Sequence, residues 1–148
     1  MTRASRFWRM SCQDRTLLFE AGVLLSLAEL AAHTLPFRRI IRLARLLQTE
    51  AVLSPEPEDT ALVRRVRWAV RAATRHLPWR CQCLAQALTA HMMLARRGAA
   101  STLYIGVQLE EQRGLSSHAW LRCGSIYVTG APEHRRFHII ATFAGGET

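Results

Sequence analysis

The chain has 148 residues, of which 49% are hydrophobic and 21% charged, and its net charge is +9. This composition excludes a disordered or low-complexity chain and fits one globular domain with a hydrophobic core. The best apolar run, residues 21–28, is too short to span a membrane, and no signal-peptide cleavage site follows the basic start, so we expect a cytoplasmic protein with four free thiols.

The first 53 residues are predicted to form a helical N-terminal arm. One helix should run over about 12–32, with Ser11 as its N-cap, and it is apolar on nearly all sides. A second helix, basic and amphipathic, should follow Pro36 over 37–47. An apolar helix followed by a basic one suits docking onto a partner protein or peripheral contact with a membrane surface.

Residues 54–60 are predicted to be a linker, because they are polar and contain two prolines. We expect the domain core to occupy residues 61–148. It should begin with a helix that Thr60 caps and that runs to about His76, and continue with a helix over about 81–97 that ends before Gly98.

The hydrophobic period then changes from helical spacing to alternation, which is typical of strands. The expected strands are residues 102–109, 117–123, 125–129 and 137–143, with a loop over 110–116. Helices that precede short antiparallel strands indicate an α+β domain, with the N-terminal helices packed on one face of a small sheet.

The segment from Trp79 to Leu84 carries the most chemical information, because it places Cys81 and Cys83 at the start of a helix. Unpaired amides and the helix dipole at that end stabilise a thiolate, which is what a cysteine nucleophile needs. Both thiols could equally be small buried hydrophobic groups, as most intracellular cysteines are.

A histidine on a predicted strand is a second candidate catalytic residue. His118 shares one strand face with Trp120 and Arg122 and could act as general base for a thiol, although a lone histidine is more often a structural residue.

A zinc site is the competing use of cysteine and histidine. The candidate ligands Cys81, Cys83, His118 and Cys123 lack the usual knuckle spacing, so we expect no metal.

Four motifs in order resemble the transglutaminase-like leader peptidases of lasso-peptide biosynthesis, over about residues 78–143. They are Cys-Leu at 83–84, Arg-Arg-Gly at 96–98, Ile-Gly-Val at 105–107 and His-Ala-Trp at 118–120. Segments 6–9 and 35–39 of the arm also resemble the stand-alone members of that family.

The resemblance implies a papain-like cysteine protease fold without a cofactor. Cys83 would be the nucleophile and His118 the general base, while Trp79, Gln82 and Trp120 would contact the substrate. The substrate would be a ribosomally made precursor peptide, cut between leader and core. A separate leader-recognition protein and an ATP-using macrolactam cyclase are the implied partners.

One departure from the family concerns the third catalytic residue. The resemblance implies an Asp twelve positions after the histidine, but Gly130 occupies that position and no Asp follows Asp59. Glu133 is the nearest acid and the candidate third member, while Thr129 or a backbone carbonyl could substitute for it. The alternative is a catalytically impaired scaffold of the same maturation complex.

Arginines form a stripe along the predicted third helix, at Arg64, Arg67, Arg71 and Arg75. We expect this stripe to dock a partner such as an acidic leader or the recognition protein. An arginine-rich nucleic-acid-binding protein is the competing hypothesis. No recognisable nucleic-acid-binding module is present, however, and the aromatic residues are not interleaved with the basic ones, so we expect no nucleic-acid partner.

Overall fold

The structure, a computed structural model, describes residues 8–46, 57 and 59–144. Within these ranges the helices are α1 Cys12–Thr34, α2 Phe37–Leu46, α3 Thr60–His76 and α4 Cys83–Ala95. The strands are β1 Thr102–Glu110, β2 Gly114–Cys123, β3 Ile126–Thr129 and β4 His138–Ala144, with a 3-10 turn at Glu133–Arg136. The predicted α+β class is confirmed. Most of the predicted linker, 54–60, lies outside the described residues.

The first helix of the arm begins as its sequence predicts, since the Ser11 hydroxyl accepts a hydrogen bond from the Asp14 amide at 3.1 Å. One face of α1 is buried against α3 and α4, and an ion pair between Asp14 and Arg65 joins α1 to α3. The opposite face is exposed, as Phe19 shows with 74% of its surface accessible.

By length and composition alone, α1 could cross a membrane, because the helix continues in both directions beyond the apolar run 21–28. Its buried face, however, belongs to the core that the helices share with the sheet. Contact of the arm with a membrane or partner protein stays a prediction.

The two helices of the predicted core differ slightly from expectation at their starts. Asp59, not Thr60, caps α3, because its carboxylate accepts a hydrogen bond from the Leu62 amide at 2.9 Å. The α4 helix begins at Cys83 and packs against α1, α3 and the first three strands. This central position explains why the helix is apolar on nearly all sides.

The sheet is antiparallel with strand order β3-β2-β1-β4. The predicted loop over 110–116 is wrong in extent, because β2 begins at Gly114 and pairs with β1 from there. Leu109 and Leu115 face each other in this hairpin, yet they are 79% and 71% exposed. The alternation of apolar and polar residues therefore predicts the strands correctly, but it does not predict that the apolar side chains at this end of the hairpin are exposed.

The connection from β3 to β4 must cross the sheet, since these strands form its two edges. It passes over the face of β2 that carries His118 and Trp120, as ring contacts with His134 and Phe137 show. In addition, β3 pairs with β2 only over 121–123, so the preceding part of β2 has an open edge. This open edge and the crossing connection create the cleft described next.

Candidate active site

The thiol of Cys83 lies at the first residue of α4, where helix amides have no intrahelical partner. Gln82, the N-cap, is extended and makes no side-chain capping bond, and the first turn contains no acidic residue. The backbone amide of Leu84 instead donates a hydrogen bond to the Cys83 sulfur. The helix terminus therefore favours the thiolate.

The backbone just before Cys83 is held by the arm. The Gln82 amide donates a hydrogen bond to the carboxylate of Glu29 on α1 at 3.0 Å, and Glu29 is buried. The same carboxylate contacts His33 one helical turn later, at 3.1 Å. The Gln86 side chain donates to the carbonyl of Cys81 at 3.0 Å. These bonds fix the turn that presents the thiol.

His118 is held by packing. It lies on β2 opposite Gly106 of β1, and its ring stacks between Trp120 at 5.9 Å and Phe137 at 5.1 Å between centroids. Gly106 makes room for these rings, because a Cβ there would lie 2.8 Å from the Phe137 Cβ and 2.9 Å from the Trp120 ring. Tyr104 also stacks on Trp120, with the two ring centroids 5.6 Å apart.

The structure brings Cys83 and His118 together in a hydrogen bond. Burial alone would raise the pKa of the Cys83 thiol, but the bond with His118 and the charge of that ring lower it below its ordinary value. Amides of Ala119, on the open edge of β2, and Leu84 also donate to the sulfur and lower the pKa further. The bond with Cys83 is the main cause that raises the pKa of His118, against burial. Both shifts favour a thiolate–imidazolium pair.

The neighbouring thiols behave differently. Burial, followed by the charge of Glu29, raises the pKa of Cys81. Burial also raises the pKa of Cys123, whose thiol donates to the Ala100 carbonyl at 2.9 Å. Among the described residues, no group of three metal-ligating side chains is placed to hold an ion. Cys83 therefore differs from Cys81 and Cys123, because its surroundings lower the pKa of its thiol while theirs raise it.

A backbone carbonyl occupies the position of the third catalytic group. The His118 Nε2 donates to the Gly130 oxygen at 2.9 Å, which leaves Nδ1 for the thiol. Gly130 has a φ of +79°, and a Cβ there would lie 2.4 Å from the Trp120 Cβ. Any side chain at this position would clash with Trp120 and strain the backbone. Glu133 acts on His118 through its charge, which contributes to the raised pKa of the histidine.

The pair opens into a cleft of about 250 Å³. Its walls include Arg71, Gln86, Thr129 and Glu133 as well as Cys83 and His118. Of the residues expected to contact substrate, Trp120 is buried behind His118, whereas Gln82 and Trp79 are exposed and lie outside this lining. Arg71, expected to dock a partner, lies in the cleft instead of on a remote surface.

Sequence reasoning missed Glu29, Gly106 and Phe137 as supports of the site. A glycine within a strand does signal close approach of another group, and Gly106 fits that rule. A carboxylate directly after the apolar run 21–28 likewise signals a buried partner, which fits Glu29. Phe137 carries no such signal, because its role depends on how the crossing connection is placed.

Comparison with known proteins agrees with this geometry. A family model described as the transglutaminase-like superfamily matches residues 23–142, which include the second half of α1 and nearly all of the sheet. No curated protein and no solved structure matches the chain.

Proposed function

We propose a peptidase function for this chain, which belongs to the transglutaminase-like superfamily. The observation that carries the proposal is the hydrogen-bonded pair of Cys83 and His118, with the thiol at a helix N-terminus and the imidazole oriented by a carbonyl. The proposed reaction is hydrolysis of a peptide bond through a covalent acyl-enzyme.

In the proposed mechanism, His118 holds the proton of Cys83, and the thiolate attacks the scissile carbonyl. The oxyanion that forms is stabilised by backbone amides at the start of α4, including that of Cys83. The imidazolium then gives its proton to the departing amine, which leaves an acyl group on the sulfur. Water, deprotonated by His118, hydrolyses the thioester and restores the thiol.

The proposed substrate is the precursor of a lasso peptide, cut between leader and core in the cytoplasm. The order of the Cys-Leu, Arg-Arg-Gly, Ile-Gly-Val and His-Ala-Trp motifs supports this pathway. A separate leader-recognition protein would deliver the precursor, and an ATP-using cyclase would close the ring on the released core.

A specific observation favours a second candidate function. A carbonyl stabilises an imidazolium less than a carboxylate does, because it carries no full charge. Gly130 in place of an Asp therefore favours a chain that binds the precursor complex as a scaffold without cutting it.

Mass spectrometry of precursor cleavage distinguishes these functions. The protein is incubated with a lasso precursor and the recognition protein from the same gene neighbourhood. Wild type is compared with Cys83→Ala, His118→Ala and, as the matched control, Cys81→Ala. We expect leader release to require Cys83 and His118 and to survive the loss of Cys81.

The remaining outcomes count against the peptidase. Wild type that binds the recognition protein and cuts nothing supports the scaffold. Wild type that neither binds nor cuts argues against the lasso pathway. Cleavage that persists in Cys83→Ala contradicts the assigned nucleophile.

A further inference from the structure

The arginine that lines the cleft makes no ion pair with any carboxylate in the part of the chain that the structure describes. Arg71 lines the cleft, with Arg67 and Arg75 one helical turn to either side on α3. Burial and the charges of these two neighbours lower the pKa of the Arg71 guanidinium. Among the described residues, the ion pairs within 4 Å involve none of these three arginines, whereas Arg65 of the same helix pairs with Asp14.

Among the described residues that line the cleft, Glu133 is the one carboxylate, but it does not neutralise Arg71. It makes no ion pair within 4 Å among the described residues, and its charge acts on His118. The cleft therefore offers a guanidinium beside the reactive thiol, and no described carboxylate pairs with it.

We infer that the cleft contains a subsite for a substrate carboxylate, with the Arg71 guanidinium as its donor. This inference rests on the proposed peptidase function and specifies its substrate class, a peptide with an Asp or Glu side chain close to the bond that is cut. A guanidinium can bind both oxygens of one carboxylate through two parallel N–H donors. The charge of Arg67 adds to the attraction.

Alkylation of Cys83 by a charged and a neutral reagent tests the subsite without knowledge of the natural peptide. Iodoacetate carries a carboxylate, while iodoacetamide has nearly the same size and no charge. The rate at Cys83 is followed for each by peptide mass mapping in a Cys81→Ala background, because Cys81 would otherwise lie on the same peptide. The ratio of the iodoacetate rate to the iodoacetamide rate cancels the intrinsic reactivity of the thiolate.

The variants are Arg71→Gln, Arg71→Lys and Arg113→Gln, the last removing one exposed charge from the turn between β1 and β2. We expect Arg71→Gln to lower the rate ratio about fivefold at low salt, and added salt to lower the wild-type ratio. Arg71→Lys should retain most of the ratio because it keeps the charge, and Arg113→Gln should leave it unchanged.

Two results would overturn the subsite, namely a ratio that Arg71→Gln leaves unchanged or a ratio that Arg113→Gln lowers equally. Failure of the proposed function has a different signature. In that case the iodoacetamide rate at Cys83 alone would be ordinary for a buried thiol and would not respond to His118→Ala, whatever the ratio shows.

Discussion

The helical and the sheet regions hold their halves of the site by different means. Around Cys83, hydrogen bonds and the helix terminus set both position and charge, with Glu29 fixing the preceding amide. Around His118, ring stacking and one carbonyl set the orientation, with little charge involved. Polar contacts thus position the thiol, so the loss of one hydrogen-bond partner should be costly there. Packing positions the imidazole, so a change in side-chain volume should be costly there.

The largest expected effect comes from breaking the link between the two regions. His118→Ala removes the group that holds the thiol proton and should reduce cleavage by about 10³-fold. It should also raise the pKa of Cys83, since the hydrogen bond and charge that oppose burial are lost. The pH at which iodoacetamide begins to react with Cys83 should therefore move upward.

The control for that experiment is His138→Ala, which removes an exposed histidine from β4. Its alkylation profile should match wild type. An unchanged profile in His118→Ala would contradict the thiolate–imidazolium pair.

The next largest effect tests the sheet region by adding a side chain at Gly130. Gly130→Ala would place a methyl group 2.4 Å from the Trp120 Cβ at a φ of +79°. We expect a loss of about 3 kcal/mol in the free energy of unfolding, from overpacking and backbone strain together, and about 100-fold lower cleavage because the carbonyl moves away from His118. Urea unfolding and the cleavage assay measure the two quantities.

Gly98→Ala is the matched control, since Gly98 has a φ of +72° and nothing within 4 Å of an added Cβ. It should cost only about 1 kcal/mol, the strain of the left-handed conformation, with cleavage unchanged. Gly130→Asp, which restores the residue type that the family resemblance implies, should lose activity as Gly130→Ala does. A gain in activity would show that the backbone can accept the carboxylate.

These two regions also differ in how far the sequence predicts them. Helical and strand periodicity place Cys83 at a helix start and His118 on a strand, and both placements are found. The acceptor at Gly130 could not be predicted in the same way, because every residue has a carbonyl and only the fold decides which one reaches the imidazole. Likewise, the spacing of the arginine stripe defines a helix face, but only the packing of α3 beside β3 places Arg71 in the cleft.

A smaller effect tests the helical region. Glu29→Ala leaves the Gln82 amide without its acceptor and should cost about 1–3 kcal/mol in the free energy of unfolding. Because the turn before Cys83 loosens, we expect kcat to fall about tenfold while KM changes less. Steady-state cleavage kinetics measure both.

Glu20→Ala serves as the comparison on the same helix, since Glu20 pairs with Arg96 and Arg97 at the other end of α4. It should lower stability and leave kcat unchanged. An equal fall in kcat for both variants would mean that α1 supports the fold and does not position the thiol.

The smallest expected effect concerns Glu133, the acid first considered as the third catalytic member. Among the causes that raise the pKa of His118, the charge of Glu133 is the weakest, after the bond with Cys83 and the Gly130 carbonyl. Glu133→Gln should therefore lower the pKa of His118 slightly. The alkaline limb of the cleavage profile, where the imidazolium loses its proton, should move to lower pH, and the rate at neutral pH should change less than about twofold. A loss as large as that of Gly130→Ala would instead make the carboxylate the orienting group, and the sheet region would then position its imidazole by charge, as the helical region positions its thiol.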